Sequence, residues 1–402
     1  MTLKATQFFL CFTSTLLIAP VFAGDSVLFQ PITNTETQLI DKLPASDQWP
    51  GWCGVKIIQK SSPATPQKTS TQSCYTTTDG QRLAGTFELN NTKLSWRNGA
   101  FQPFVVDLEK TQSIGPLFIG EQPTTQTDTV FLVNNDRIDG FIESIDATKG
   151  VSIEVALPIT SKETAPKKEM THIPIERISE IQLTTKIKKP SGWRFWLIDG
   201  SVVDADSWSD VQNQCALKNT HGFTQADGAT ISWSNVLSIS PNSKTITSLA
   251  RCSQKIMSNT DTQQLRLSSP VVVKKTMPAA FDAIPIDLHG PGIFEFSLEQ
   301  IGGTLSASLE VPPQLRGDVE CRVTIECGGK VVFQESIKQE SNPLQIKVPI
   351  AGDKVIVKLD QSKRGAFGCA IRLSDAIVIS DSCGTPPQPS HLPPNAPAKP
   401  GL

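Results

Sequence analysis

Few side chains in this sequence have the types and spacing that acid–base chemistry needs. Four histidines occur, and none stands in an HExxH or another metal-ligand spacing. Asp287 and His289 lie two residues apart on a predicted strand, where they share one face and the carboxylate can orient the imidazole as a base. No nucleophile accompanies them in the sequence, so a hydrogen-bonded strand pair is the plainer interpretation.

Three aspartates form a candidate cation site. Asp204, Asp206 and Asp210 loosely follow the spacing of a calcium loop, whose ion needs several close carboxylate oxygens. Trp208 occupies the fifth position of this loop, and Ser209 replaces its turn glycine. We therefore predict no cofactor, with calcium as a weak alternative.

The cysteines favour disulfides. Nine occur, and Cys11 lies in the first 23 residues, which leaves an even number typical of an exported, oxidised chain. The expected bridges are Cys53 with Cys74, across a polar loop, and Cys252 with Cys383, around the last domain. A set of small buried apolar side chains is the alternative.

The N-terminus has the pattern of a secretory signal peptide. Lys4 precedes an apolar stretch, and Val21-Phe22-Ala23 forms a cleavage site before Gly24. We predict removal of residues 1–23 and export to the periplasm, the cell surface or the extracellular space. No later segment reaches the roughly 20 apolar residues of a membrane span, so none is expected after cleavage.

Composition indicates an all-β chain of several domains. Charged residues make up 19% of the chain, while 26 Gly and 29 Pro interrupt it and long helix-forming runs are scarce. The net charge of −2 excludes a protein that holds nucleic acid by bulk charge.

A hairpin pattern with a tight Asp-Gly or Asn-Asn-Asp turn occurs three times. Each copy ends in residues spaced by three, beginning at Leu108, Ile175 and Trp233, which is typical of a one-turn helix before a closing strand. The prediction is an adaptor and polar loop followed by three small SH3-like or Sm-like β-barrels, over residues 24–73, 74–120, 127–185 and 190–250.

The last third of the chain changes character. Residues 262–381 hold seven runs that alternate apolar and polar side chains, which predicts an antiparallel β-sandwich. Residues 384–402 are rich in proline and are expected to form an extended, disordered tail.

The order of segments in the predicted sandwich resembles the novel putative carbohydrate-binding module, a jelly-roll family of exported bacterial proteins. The similar segments are Ile286–Gly290 with Phe294–Phe296, Cys321–Phe333, Leu344–Val348 with Asp353–Leu359, and Gly368–Ile379. The resemblance implies a jelly roll that recognises carbohydrate. The barrel repeats resemble units found upstream of this module in large exported proteins.

The sandwich lacks the usual aromatic platform for a sugar ring. All seven tryptophans and the single tyrosine lie before residue 234. The candidate carbohydrate-binding residues are therefore Trp193, Trp196 and Trp208 of the third barrel, with Phe294 and Phe296 of the sandwich. Barrel core is the favoured role for two of the three tryptophans.

Together these features predict an exported, non-enzymatic binding or scaffold protein of the cell envelope that recognises polysaccharide through its last domain. One alternative is a protein-interaction scaffold whose sandwich binds no sugar and whose partners are envelope proteins. A glycan hydrolase targeted by the sandwich is the other, because a catalytic carboxylate pair is assembled in space and leaves no sequence motif.

Overall fold

The computed structural model describes most of the chain between residues 27 and 381. The described residues are 27–33, 38–59, 73–90, 93–116, 127–146, 149–156, 168–186, 188–223, 230–242, 246–257, 271–273, 278–298, 301–315, 320–339, 341–360 and 369–381. They form β-strands and one-turn 3-10 helices, with no α-helix in these ranges. The predicted all-β fold is confirmed. Residues 1–23, residues 384–402 and Cys383 lie outside the described ranges, as does most of the polar loop.

Two strands and a short helix precede the repeats: β1 (Val27–Ile32), η1 (Ser46–Gln48) and β2 (Gly54–Gln59). β1 and β2 pair antiparallel along their whole length. β2 also pairs with a strand of the third repeat, between Val55 and Ile239. The N-terminal segment is thereby built into the sheet network.

Three five-stranded units follow. The first comprises β3 (Ser73–Thr77), β4 (Arg82–Asn90), β5 (Lys93–Asn98), β6 (Phe101–Val105), η2 (Leu108–Lys110) and β7 (Thr111–Pro116). The second comprises β8 (Asp128–Leu132), β9 (Arg137–Asp146), β10 (Gly150–Ala156), β11 (Lys168–Ile173), η3 (Ile175–Arg177) and β12 (Ile178–Gln182). The third comprises β13 (Trp193–Leu197), β14 (Val202–Val211), β15 (Gln214–Thr220), β16 (Ile231–Ser232), η4 (Trp233–Asn235) and β17 (Val236–Pro241).

Strand pairing is the same in every unit. The first four strands pair in sequence, and the fifth returns beside the first. A 3-10 helix precedes each fifth strand, as the residues spaced by three predict. Closure of each unit into a barrel stays a prediction.

A close backbone approach recurs on the second strand of two units. A Cβ atom at Gly85 would lie 2.1 Å from the carbonyl oxygen of Arg97, and one at Gly140 would lie 2.3 Å from that of Glu154. Glycine leaves room for the neighbouring strand to cross there. One continuous apolar core joins the three units and the N-terminal strands, so the units are packed together.

The C-terminal region is an antiparallel sandwich, as its alternating pattern predicts. One sheet, here called the outer sheet, has the order β20 (Val271–Val273), β21 (Ile286–His289), β28 (Ala370–Ile379), β23 (Gly303–Glu310) and β26 (Leu344–Ile350), with β18 (Ile246–Ser248) also beside β28. The facing sheet has the order β19 (Ser253–Met257), β22 (Gly292–Ser297), β27 (Lys354–Asp360), β24 (Glu320–Cys327) and β25 (Lys330–Lys338). Because β18 and β19 belong to the sandwich, this domain begins before the predicted residue 262.

The sandwich is fused to the repeats through two short helices, η5 (Leu249–Arg251) and η6 (Ala280–Asp282). The Phe281 ring packs edge-on against Trp196, with 5.3 Å between ring centroids, and its N–H donates to Ser238 Oγ at 2.9 Å. Asp282 forms a buried ion pair with Arg82 of the first unit at 2.6 Å. Repeats and sandwich therefore share a buried apolar and ionic interface.

None of the helices in the described ranges is long and apolar enough to cross a membrane.

Candidate functional site

The aromatic residues predicted to bind sugar are buried. The prediction that they form a surface platform is therefore wrong. Their exposed fractions are 9% for Trp193, 8% for Trp196, 2% for Trp208, 1% for Phe294 and 0% for Phe296. A sugar ring needs an open ring face to stack on. The three tryptophans lie on two strands that are covered by neighbouring elements, and the two phenylalanines point into the sandwich core.

The tryptophans instead pack edge-on against one another. Trp208 contacts Trp193 and Trp233, with centroid distances of 6.0 and 5.6 Å. Trp49, from the N-terminal segment, covers Trp193 at 4.8 Å. The edge-to-face arrangement is favourable for aromatic pairs and makes these side chains the core of the third unit.

The acidic residues of the candidate calcium loop do not converge. Asp204 is fully buried and accepts two hydrogen bonds from Arg194, both 2.8 Å. Asp206 bonds to His221 at 2.7 Å, and this hydrogen bond holds the pKa of the Asp206 carboxyl below its usual value. Among the described residues no three potential ligands lie close enough to hold a metal ion.

The predicted disulfide pairs are not formed. Cys53 is disulfide-bonded, but Cys74 is a buried thiol, so the bridge between these two is wrong. Cys252 is also a thiol and donates to the carbonyl oxygen of Ser248 at 3.4 Å. Cys252 therefore does not bridge to Cys383, and residue 383 itself lies outside the described ranges.

A polar cluster lies on the outward face of the outer sheet. On β21, Ile286 and Leu288 point into the core, which turns Asp287 and His289 outward. Arg372 of β28 is the register partner of Asp287. The alternation of a strand thus places the two sequence-predicted residues on one face, as expected.

Asp287 is bound by Arg372 and not by His289. Arg372 Nε donates to Asp287 Oδ1 at 2.6 Å, and Arg372 Nη2 donates to Asp287 Oδ2 at 2.8 Å. Gln314, from the segment after β23, donates to Asp287 Oδ2 at 2.8 Å and accepts from Arg372 Nη2 at 3.1 Å. Glu310 is the register partner of Arg372 on its other side. We call Asp287, His289, Glu310, Gln314 and Arg372 the Asp287 cluster.

The electrostatics of this cluster stabilise the charged forms of Asp287 and Arg372. Burial pushes the pKa of the Asp287 carboxyl upward, but hydrogen bonds from Arg372 and Gln314 outweigh this and leave the pKa below its usual value. The hydrogen bond to Asp287 also raises the pKa of Arg372. The ion pair stays charged near neutral pH, so Asp287 is a fixed acceptor and the expected orientation of the imidazole by Asp287 is not observed.

The members of the Asp287 cluster differ in solvent exposure. Asp287 and Arg372 are 3% and 8% exposed, His289 and Glu310 are half-buried, and Gln314 is exposed. The buried pair thus holds the exposed Gln314 through two hydrogen bonds. Sequence analysis missed Arg372 and Gln314, because they lie 85 and 27 residues from Asp287 along the chain.

A concave site is lined by residues of the first two units, and we call it the inter-unit groove. It has a volume of about 710 Å³ and is lined by Leu94, Val105, Val106, Glu143, Ser144, Ile145, Asp146, Lys149, Ser152 and His172. Ser152 Oγ and His172 Nδ1 lie 2.9 Å apart at its edge. These residues come from strand ends of two units, so no local sequence signal marks the groove.

Comparison with known proteins finds no matching family model and no matching curated protein. Several solved structures match. One is the CBM51 module from Clostridium perfringens GH95 in complex with methyl-galactose, with 13% identity over 33% of this chain and 92% of that chain, at a TM-score of 0.23. Another holds CBM51-2 in complex with GlcNAc and the INT domains of Clostridium perfringens ZmpB, with 12% identity, 44% and 40% coverage, and a TM-score of 0.23.

A third holds the M60 catalytic domain of Clostridium perfringens ZmpB with its CBM51-1 and CBM51-2 domains. It matches with 8% identity over 88% of this chain and 51% of that chain, at a TM-score of 0.23. The match therefore spans about half of that protein. TM-scores this low support no argument from these structures to the function of this chain.

Proposed function

We propose that this protein is a non-catalytic carbohydrate-binding protein and that the Asp287 cluster is its sugar site. The observation that carries this proposal is the set of planar hydrogen-bonding groups of Asp287, Arg372 and Gln314, held in one network on an outward sheet face. Sugars present neighbouring hydroxyls, each both a donor and an acceptor. Pre-positioned planar groups suit such pairs, because two bonds form without further ordering of the side chains.

The accessible members of the cluster supply the contacts. The Gln314 amide, the His289 ring and the Glu310 carboxylate border the buried ion pair and reach solvent. In this arrangement Asp287 and Arg372 orient Gln314, while Gln314 and His289 meet the ligand. The recognition is polar, in keeping with a sandwich sequence that contains no Trp and no Tyr.

The charge state of Asp287 supports binding without catalysis. A glycoside hydrolase needs one carboxylic acid whose pKa is raised, so that it can protonate the leaving oxygen. The pKa of Asp287 is lowered instead. We infer that this site holds its ligand unchanged, after export of the chain to the periplasm, the cell surface or the extracellular space.

The test is retention of the full mature chain on a panel of immobilised polysaccharides, with methyl-galactoside and N-acetylglucosamine as soluble competitors. The variants are Gln314→Ala and His289→Ala. The matched control is Gln345→Ala, on the same sheet face but on β26, where its side chain bonds Ser308 at 2.9 Å.

We expect each cluster variant to weaken binding about ten-fold, because each loses about one hydrogen bond to the ligand. The control should bind like the wild type. Equal retention of all four proteins would place the sugar site elsewhere, and no retention of the wild type on any polysaccharide would overturn the proposal.

A protein-interaction scaffold is the second candidate, and the inter-unit groove favours it. Its rim combines Val105, which is 51% exposed, with the exposed charges of Glu143 and Lys149. Apolar surface next to charge is typical of protein interfaces. The scaffold role is tested by crosslinking the wild type and a Val105→Asp variant in envelope extracts. We expect a crosslinked partner that the variant loses. The same crosslinking pattern for both proteins would contradict the scaffold role.

A further inference from the structure

Two cysteines of the sandwich approach each other across its core. The Cys321 and Cys369 sulfur atoms lie 2.7 Å apart, inside the roughly 3.5–4.0 Å at which non-bonded heavy atoms normally rest. Both side chains are buried, with exposed fractions of 0% and 3%. No water separates them at this distance, so the two sulfurs are in direct contact.

The two residues belong to opposite sheets. Cys321 is on β24 of the facing sheet, and Cys369 directly precedes β28 of the outer sheet. Cys321 lies 48 residues before Cys369 in the sequence. A covalent bond between them would join the two layers of the sandwich near the N-terminal ends of β24 and β28.

We propose that Cys321 and Cys369 form a structural disulfide in the exported protein. The Sγ–Sγ bond forms as two S–H bonds break. The two thiols give up two protons and two electrons to a disulfide donor, either a thiol oxidoreductase or a small-molecule disulfide, which is reduced to two thiols. This is the chemistry of thiol–disulfide exchange in oxidising compartments.

The surroundings indicate that the bridge is structural. Contact with Cys369, together with burial, raises the pKa of the Cys321 thiol, so the reactive thiolate is disfavoured once the sandwich has folded. Exchange therefore takes place before the core closes. A folded protein keeps whichever state it acquired during folding.

Cys369 also contacts Gly290, the residue that follows His289 of the Asp287 cluster. The Gly290 N–H donates to the carbonyl oxygen of Cys369 at 2.8 Å, and a Cβ at Gly290 would lie 2.9 Å from Cys369 Sγ. Gly290 follows His289, so these contacts place Cys369 against the turn after this ring. Any effect of the bridge on sugar binding rests on the proposed function, whereas the bridge itself does not.

The test is peptide mapping of the full chain after export into an oxidising compartment. The protein is purified without reductant, denatured, alkylated and digested, and the peptides are weighed before and after reduction. We expect the Cys321 and Cys369 peptides to be joined and unalkylated until reduction. Cys215 is the control, because it is a buried thiol and should be alkylated at once. Alkylation of Cys321 and Cys369 without reduction would overturn the proposal.

A second measurement uses a double variant that carries both Cys321→Ser and Cys369→Ser. Its thermal unfolding midpoint and that of the wild type are each measured in the presence and absence of a phosphine reductant. The phosphine reduces the Cys53 disulfide in both proteins, so we expect it to lower the midpoint of the wild type further than that of the double variant. An equal response of both proteins contradicts the bridge. If the double variant does not fold, the peptide map of the wild type decides, and it does so independently of sugar binding.

Discussion

The ion pair between Arg82 and Asp282 should hold the repeats and the sandwich together. Their side chains are 5% and 1% exposed and lie 2.6 Å apart. Substituting Arg82→Met keeps the aliphatic stem but leaves Asp282 with Arg251, which is 40% exposed and 3.2 Å away. Breaking a buried pair costs about 3–5 kcal/mol. Because Arg251 still offsets part of the charge, we expect the free energy of unfolding to fall by about 3 kcal/mol.

The assay is urea unfolding followed by tryptophan fluorescence and by far-ultraviolet circular dichroism. All seven tryptophans precede residue 234, so fluorescence reports the repeats, whereas circular dichroism reports every strand. The matched control is Lys56→Met, which removes an ion pair of the same 2.6 Å length between β2 and β28 with partners 31% and 57% exposed. An exposed pair contributes about 0–1 kcal/mol, so this control should be nearly neutral.

Two further measurements complete the test. The double variant Arg82→Met with Asp282→Leu should cost less than Arg82→Met alone, because no unpaired carboxylate remains buried. The pKa of Asp282 is lowered because Arg82 and Arg251 outweigh the effect of burial. Its contribution to stability is therefore present above the unfolded carboxyl pKa of about 3.9 and is lost as the pH falls through the lower folded value. Equal costs for Arg82→Met and Lys56→Met would refute this reasoning.

Three other outcomes are expected. Gly85→Ala should lower the free energy of unfolding, measured by urea titration, by about 1–3 kcal/mol, because the new Cβ would lie 2.1 Å from the Arg97 carbonyl oxygen. The control Gly99→Ala, whose Cβ would have no atom within 4 Å, should be nearly neutral in the same titration. Trp208→Ala should lower the free energy of unfolding by about 3–5 kcal/mol, because the substitution leaves a cavity. Retention of the folded fraction on polysaccharide should not change. A selective loss of retention would show that Trp208 contacts the sugar. Removing the proposed Cys321–Cys369 bridge, which closes a 48-residue span, should lower the free energy of unfolding by about 4 kcal/mol on the chain-entropy relation. The measurement compares the urea midpoints of the wild type and the Cys321→Ser, Cys369→Ser double variant without reductant, and equal midpoints would contradict the bridge.

Local periodicity predicted the elements well but not which faces they expose. The residues spaced by three located η2, η3 and η4, since a short helix and the strand after it leave a regular apolar signal. The same sequence gave no sign that Trp196 is covered from outside. On β13, Trp193 packs into the core of the repeats while Trp196 faces Phe281 at the sandwich interface. Both faces of this strand are buried, so its aromatic side chains are unavailable to a ligand.

The sandwich begins before the predicted residue 262 for a related reason. Residues 246–257 are short strands with weak alternation, and their pairing with β28 and β22 depends on partners far along the chain. Burial of Phe294 and Phe296 follows from the alternation with Ile293 and Glu295, because residues two apart share a face. The same alternation therefore places both rings in the core and away from a binding surface.

The sequence by itself determined the all-β class, the repeated hairpins, the alternating strands of the sandwich and the shared face of Asp287 and His289. Each of these depends on residues close together in the chain, where backbone geometry sets the period. Tertiary structure alone decided which charges and sulfurs meet: Asp287 with Arg372, Arg82 with Asp282, and Cys321 with Cys369. Such contacts act over a few ångströms between strands that are distant in sequence, so they exist only once the sheets have packed.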